Sequence, residues 1–218
     1  MGSALRDKTV VVVGRGSGIA RAVTLLARSE GARVVVAGRD KATLASAYDD
    51  PGITAEAVDI TEDESIAALA DRVGGVDHVV STASARARGK LADLRREHLL
   101  QSFDTKVIGP NMLAKYFAPQ IDPDGSFVLF SGVHAFKLNI GYLGVGITNG
   151  AVDFLTRWLA VELAPIRVNA ISPGSSIPAP GTPWAKTASG TTLNTSRPTT
   201  RRVESEHRTT SPPPCSSQ

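Results

Sequence analysis

The sequence predicts an α/β fold, a doubly wound parallel sheet with helices on both faces. Three observations carry this. Short β-branched runs alternate with helical patterns from Asp7 to Ile171. Several of the runs are apolar on consecutive residues, as in parallel strands covered on both sides. The spacing between runs suits right-handed strand–helix–strand units.

In chain order, Val10–Val13 is an unbroken valine run and reads as the first strand, and Gly18–Ser29 follows as a helix. Arg33–Ala37 and Lys41–Tyr48 repeat that pair, and Ile53–Val58 with Glu62–Arg72 repeats it again. Val76–Val80 is the fourth strand and Glu97–Phe117 a long helix. Phe127–Phe130, the helix Gly150–Leu163 and the strand Arg167–Ile171 complete the series. The sheet is expected to be truncated after this sixth strand. Past Gly174 the composition shifts to Ser, Thr, Pro and Arg, and apolar periodicity stops. Two regions are therefore expected: a folded domain over 1–174 and a low-complexity tail over 175–218. The tail cannot bury enough surface to offset its ordering entropy, so it is expected to be disordered.

The 218 residues suffice for one domain with a large core. Hydrophobic residues at 42% and charged residues at 21% suit a soluble globular protein. A formal charge of only +3, with much of the excess in the tail, argues against a nucleic-acid surface. Arg86, Arg88 and Lys90 read as a solvated loop, since no aromatics are interleaved with them. The lone Cys215 leaves no partner for an internal disulfide, which fits a reducing cytoplasmic location. The first apolar run is too short for a secretory signal, and no stretch approaches the ~20 apolar residues that span a bilayer, so no membrane partner is expected. The histidines His78, His98, His134 and His207 lack ligand spacing, so no metal site is expected.

The first strand runs through Val13-Gly14-Arg15-Gly16-Ser17-Gly18-Ile19-Ala20 into a helix. Gly14 allows the sharp turn, and Gly18 lets backbone approach a diphosphate resting on the positive helix N-terminus. The flanking strand and helix supply the context a glycine motif needs to indicate a Rossmann-like dinucleotide site. After the second strand, Gly38 offers no carboxylate for a ribose 2′-hydroxyl, whereas Arg39 and Arg15 offer guanidinium groups suited to a 2′-phosphate. NADP(H) is therefore expected over NAD(H).

These residues resemble the short-chain dehydrogenase/reductase (SDR) family. Gly14-x-x-x-Gly18-Ile19-Ala20 is similar to its cofactor loop, and Asp59-Ile60 to its adenine-contacting pair. The segment 103–110 is similar to the helix that carries its active-site asparagine, and 159–174 matches the stretch leading into the sixth strand and the nicotinamide-side loop, ending in Pro173-Gly174. The segment usually written Asn-Asn-Ala-Gly reads Ser81-Thr82-Ala83-Ser84. The resemblance implies an oxidoreductase acting on a small carbonyl or alcohol, and a homodimer or homotetramer packed through the two long helices.

The family's catalytic set does not carry over. Its serine falls on Gly132, its tyrosine on Val145, its lysine on Asn149 and its asparagine on Lys106. A displaced set of Ser131, Tyr142 and Lys106 is the catalytic candidate, with Lys106 lowering the phenol's pKa. Two other readings stand beside it: a cofactor-binding homologue without catalysis, serving as sensor or assembly partner, and an inactive truncated product. One choice of codons for His207–Ser217, read two bases out of frame, yields Pro-Asp-Asp-Ile-Ala-Ala-Ala-Val-Leu-Phe, which resembles the family's segment before a seventh strand. A frameshift is thus the expected origin of the tail. Without a seventh strand, the sixth is expected to be an unprotected edge that favours aggregation.

Overall fold

The computed structural model describes residues 4–174; the expectations for the tail lie outside them. The described residues form one six-stranded sheet in the order β3-β2-β1-β4-β5-β6, with every pairing parallel. The strands are β1 (Thr9–Val13), β2 (Arg33–Gly38), β3 (Ile53–Ala57), β4 (Val76–Ser81), β5 (Ile121–Phe130) and β6 (Arg167–Ile171). The α-helices are α1 (Gly18–Ser29), α2 (Lys41–Ser46), α3 (Asp63–Val73), α4 (Arg96–Phe103), α5 (Gly109–Phe117) and α6 (Leu143–Glu162).

The apolar run of β1 is explained by its position at the centre of the sheet. Side chains alternate between faces with period two. Val10 and Val12 pack with Val34, Val36, Ala20, Ala27 and Leu44 beneath α1 and α2. Val11 and Val13 pack on the opposite face with Val79, Phe127 and Leu129 and with the helical residues Ile66, Leu69, Leu113, Phe117 and Val152. Both faces are covered, so the four consecutive positions Val10–Val13 are all apolar.

At the other end of the sheet, β6 buries only Val168 among its five residues, and Ile171 is 47% exposed. Among the described residues β6 is the outer strand. β1 lies between β2 and β4, and the chain leaves it toward opposite sides of the sheet. The crevice above the carboxyl ends of β1 and β4 is the place where such sheets bind ligands.

Apart from shifts of one or two residues at element ends, three features differ from expectation, and two matter for the site. The long helix starts at Arg96, and α4 and α5 are joined by a π-turn over Asp104–Ile108. Pro110 follows in the first turn of α5. It has no N–H to donate back along the helix, and the widened turn before it is closed by Gly109 N–H donating to Asp104 O. The last helix begins at Leu143 rather than Gly150. Glycines at 141, 144, 146 and 150 hide the helical period. Gly144 is there because a Cβ would sit 2.7 Å from Ala87 O, so a larger residue would push α6 away from the β4–α4 loop. Finally, β5 starts at Ile121, ahead of the expected Phe127.

Candidate active site

The first half of the site surrounds the start of α1. Gly14 N–H donates to Ala37 O at 2.9 Å, which ties the end of β1 to β2. Across the crevice, Thr82 donates to Val13 O from its backbone at 2.8 Å and from its hydroxyl at 3.0 Å. A Cβ on Gly14 would fall on that hydroxyl, so glycine is required where the two loops meet.

Gly18 has φ +58° and nothing within 4 Å of the position a Cβ would take. Its glycine therefore answers to backbone conformation, and the space beside it is open. Ser17 makes no side-chain capping bond, and the first turn of α1 holds no acidic residue. Among the described residues, neither a side-chain cap nor an acidic group in the first turn competes for the amide hydrogens there, which suits an anion. Arg15, Ser17 and Ile19 around them are exposed, and Gly16 is packed so that a Cβ would lie 2.9 Å from Ala47 Cβ. Ser81 Oγ, at the carboxyl end of β4, is buried without a hydrogen-bond partner among the described residues. Ala83 packs at the edge of the larger core.

The second strand ends at Gly38, where a Cβ would be 2.7 Å from Gly14 O. A carboxylate at this position has no room. Arg39 follows, exposed, and its charge reaches Asp59. Hydrogen bonds from Thr61 N–H at 3.0 Å and Thr61 Oγ1 at 2.7 Å hold the Asp59 carboxyl below its ordinary range, and Arg39 adds to the effect. Next to it, Ile60 is buried and limits Gly109 to glycine, since a Cβ there would meet Ile60 O at 2.6 Å. The cradle therefore fits a dinucleotide.

The second half of the site lies where β5, α6 and the π-turn converge. Lys106 is 8% exposed, and its Nζ donates to Ser131 O at 3.0 Å and to Asn149 Oδ1. Ser131 Oγ donates to Asn149 O at 3.0 Å, so it is turned onto the helix backbone. A Cβ on Gly132 would meet Asn149 Nδ2 at 2.8 Å. Ser131 N–H donates to Ile171 O and Val133 N–H to Pro173 O, which brings Pro173 beside this cluster, with Gly174 exposed after it.

Burial pushes Lys106 down to about 8, because removing the ammonium from water disfavours its charge. Arg86 pushes the same way and Asp153, one turn beyond Asn149 on α6, opposes them. In the folded chain Lys106 thus loses its proton at a pH where the unfolded chain still holds one. Stability is expected to rise between pH 8 and 10.5, by an amount on the order of 3 kcal/mol. Urea midpoints at pH 7.5 and 10 for the native chain and Lys106→Gln measure this. The variant removes the rise attributable to Lys106, separating it from Lys8, whose pKa is raised by Asp77 and whose effect has the opposite sign.

Tyr142 stands at the N-cap of α6, three residues before Val145. Its ring stacks on His134 with centroids 4.0 Å apart, and Arg88 lies 5.2 Å from its ring centroid. The structure thus brings Lys106 and Ser131 together through Asn149, and packs Tyr142 with His134 and Arg88. The part missed from sequence is the Lys106–Asn149 contact. Starting α6 at Leu143 puts Val145 and Asn149 one helical turn apart on a buried face, which the glycines had concealed.

The sequence model of a family described as enoyl-(acyl carrier protein) reductase matches residues 13–206. A short-chain dehydrogenase/reductase from Acremonium sp is 34% identical over 193 residues, covering 78% of this chain and 73% of that relative. The chain belongs to the short-chain dehydrogenase/reductase family. A protein described as an uncharacterized oxidoreductase of Staphylococcus aureus strain MRSA252 is 30% identical over 181 residues, covering 78% of each chain. Among solved structures, an SDR from Mycobacterium ulcerans superimposes with a TM-score of 0.72 at 31% identity, covering 78% of this chain and 68% of that one. A small-chain dehydrogenase solved with NADPH gives 0.65 at 30% identity, covering 77% and 70%. Lys106 and Asn149 fall where the resemblance would put the family's asparagine and lysine, respectively. Lys106 comes from the π-turn and Asn149 from α6, and the serine and tyrosine positions hold Gly132 and the buried Val145.

Proposed function

We propose that this chain is an NADP(H)-dependent oxidoreductase acting on a small carbonyl or alcohol. The observation that supports it is the uncapped, glycine-opened start of α1, with Arg39 next to a position where a carboxylate has no room. Gly14, Gly16, Gly18 and the amides of Ser17 and Ile19 would hold the diphosphate. Arg39 and Arg15 would take the 2′-phosphate, Asp59 and Ile60 the adenine, and Ser81, Thr82, Ala83, Pro173 and Gly174 the nicotinamide side. A nicotinamide bound there supplies or removes hydride. The NADPH seen with the small-chain dehydrogenase supports the same preference.

Fluorescence titration with NADPH and NADH tests it. Arg39→Ala is expected to weaken NADPH about tenfold to a hundredfold, the loss of a charge-assisted contact of roughly 1.5–3 kcal/mol, and to leave NADH within twofold. Equal affinity for NADPH in the variant would remove the preference.

A second reading has a specific observation behind it. Lys106, Asn149 and Ser131 hydrogen-bond to one another, and side chains turned onto each other in this way suit a cofactor-binding homologue without turnover. NADPH binding with no turnover across a panel of small aldehydes and ketones would favour it.

The proposal includes self-association. Phe154, Trp158 and Val161 follow one another at helical spacing on α6 and are 57%, 56% and 74% exposed, and Leu100 on the neighbouring α4 is exposed as well. This face supports packing of copies through α4 and α6. Light scattering is expected to give a dimer or tetramer for the native chain and a monomer for Trp158→Glu. A native monomer would count against it.

A further inference from the structure

We propose that Lys106 Nζ is the proton donor and acceptor of this site, acting in place of the missing phenol. The proposal rests on the dinucleotide reading and deepens it. Four observations lead to it. The phenol position holds Val145, which is aliphatic and buried and transfers no proton. Tyr142 is stacked on His134 with Arg88 against its ring. Ser131 Oγ is engaged by Asn149 O. That leaves Lys106 as the titratable group held between Asn149, at the position the resemblance gives to the family's lysine, and Ser131, next to its serine position, since its Nζ reaches Ser131 O and Asn149 Oδ1.

The two acceptors use two of the three ammonium hydrogens, and the third remains for a substrate oxygen. Both acceptors are neutral, so neither fixes the proton on the amine as a carboxylate would. The charged groups that bear on Nζ are Arg86, from the β4–α4 loop, and Asp153, from α6, and desolvation outweighs both. An amine that titrates near 8 can give up and regain a proton close to neutral pH. In reduction an Nζ–H bond breaks as an O–H bond forms on the substrate oxygen, while the hydride reaching the carbon is the dinucleotide's contribution. The neutral amine then takes a proton from solvent. In oxidation the neutral amine accepts the alcohol proton.

The π-turn has a purpose in this arrangement. It carries Lys106 at its centre, where the widened backbone aims a long side chain at the end of β5. Asn149 then acts as a positioning residue, and Gly132 is small because the amide of Asn149 fills the space a serine would need.

The test uses the full chain carrying 13Cε/15Nζ-labelled lysine, with the Lys106 signal identified by its loss in Lys106→Gln. Lys106 is expected to titrate near 8, and NADP+ is expected to lower that value further, because the nicotinamide ring carries positive charge. 2′,5′-ADP, which lacks that ring, is expected not to lower it. Equal responses to the two ligands overturn the proposal. Lys106→Gln, which keeps a donor toward Ser131 O and Asn149 Oδ1, is expected to hold NADPH within threefold and to reduce the aldehyde and ketone panel at least a hundredfold more slowly. Asn149→Asp adds a carboxylate beside Nζ and is expected to raise the Lys106 titration by more than one pH unit. The alkaline fall in reduction rate should move up with it, a response a purely structural lysine would not give. A profile that stays in place overturns the proposal, as does a Tyr142→Phe chain that loses turnover while Lys106→Gln keeps it. NADPH binding without turnover in the native chain overturns this proposal and the oxidoreductase reading while leaving the dinucleotide site in place. Failure to bind NADPH overturns the dinucleotide reading and this one with it.

Discussion

Gly18→Asp is expected to weaken NADPH binding at least a hundredfold while the chain stays folded. The position is exposed and opens onto empty space, so the new side chain meets no atom of the protein. Its φ of +58° lies in the left-handed region, which aspartate tolerates better than most residues, so the cost to folding is about 1 kcal/mol. The effect on the ligand is far larger. A carboxylate placed over the first turn of α1 occupies the cradle and repels the diphosphate that would otherwise rest on the helix N-terminus. Calorimetric titration with NADPH, beside a thermal melt of the same sample, separates the two effects. A variant that binds NADPH as the native chain does would place the dinucleotide elsewhere. A melt shifted by more than about 10 °C would mean that Gly18 matters to folding in a way its surroundings do not show.

The second large effect concerns stability. Phe127→Ala is expected to destabilise the chain by about 3–5 kcal/mol, the usual cost of removing a fully buried phenyl ring. Phe127 is 0% exposed, pairs with Val79 on β4 and Val168 on β6, and belongs to the core under α5 and α6. Against a total of roughly 5–15 kcal/mol for an ordinary domain, the loss is severe. It also bears on the site, because β5 ends at Phe130 and hands the chain directly to Ser131 and Gly132. Urea unfolding of the native chain and the variant measures it; a difference below 1 kcal/mol would mean the cavity collapses at little cost.

The glycine-loop half of the candidate site was legible because its pattern is local. The glycine loop, the strand before it and the helix after it lie within one stretch of chain, and Gly38-Arg39 falls at the next strand end where the pattern puts it. Each of these residues acts through backbone conformation or formal charge, and both can be read from residue type. The half built around Lys106 was not legible in the same way. Position by position, Lys106 and Asn149 were two separate departures from a family pattern. The fold makes them a single contact, through a π-turn just before Pro110 and a helix that begins amid glycines. Neither feature leaves a periodic signature in sequence.

By itself, then, the amino-acid order determined the sheet, its two covered faces and the glycine-opened start of the first helix, because periodicity and glycine placement are properties of neighbours along the chain. Only the tertiary structure decided that a lysine and an asparagine 43 residues apart share a proton-bearing hydrogen bond, that Ser131 turns toward α6, and that Tyr142 packs with His134. Those facts depend on which atoms meet across elements, and burial among them, rather than the residue's own chemistry, is what draws the Lys106 ammonium toward neutral pH.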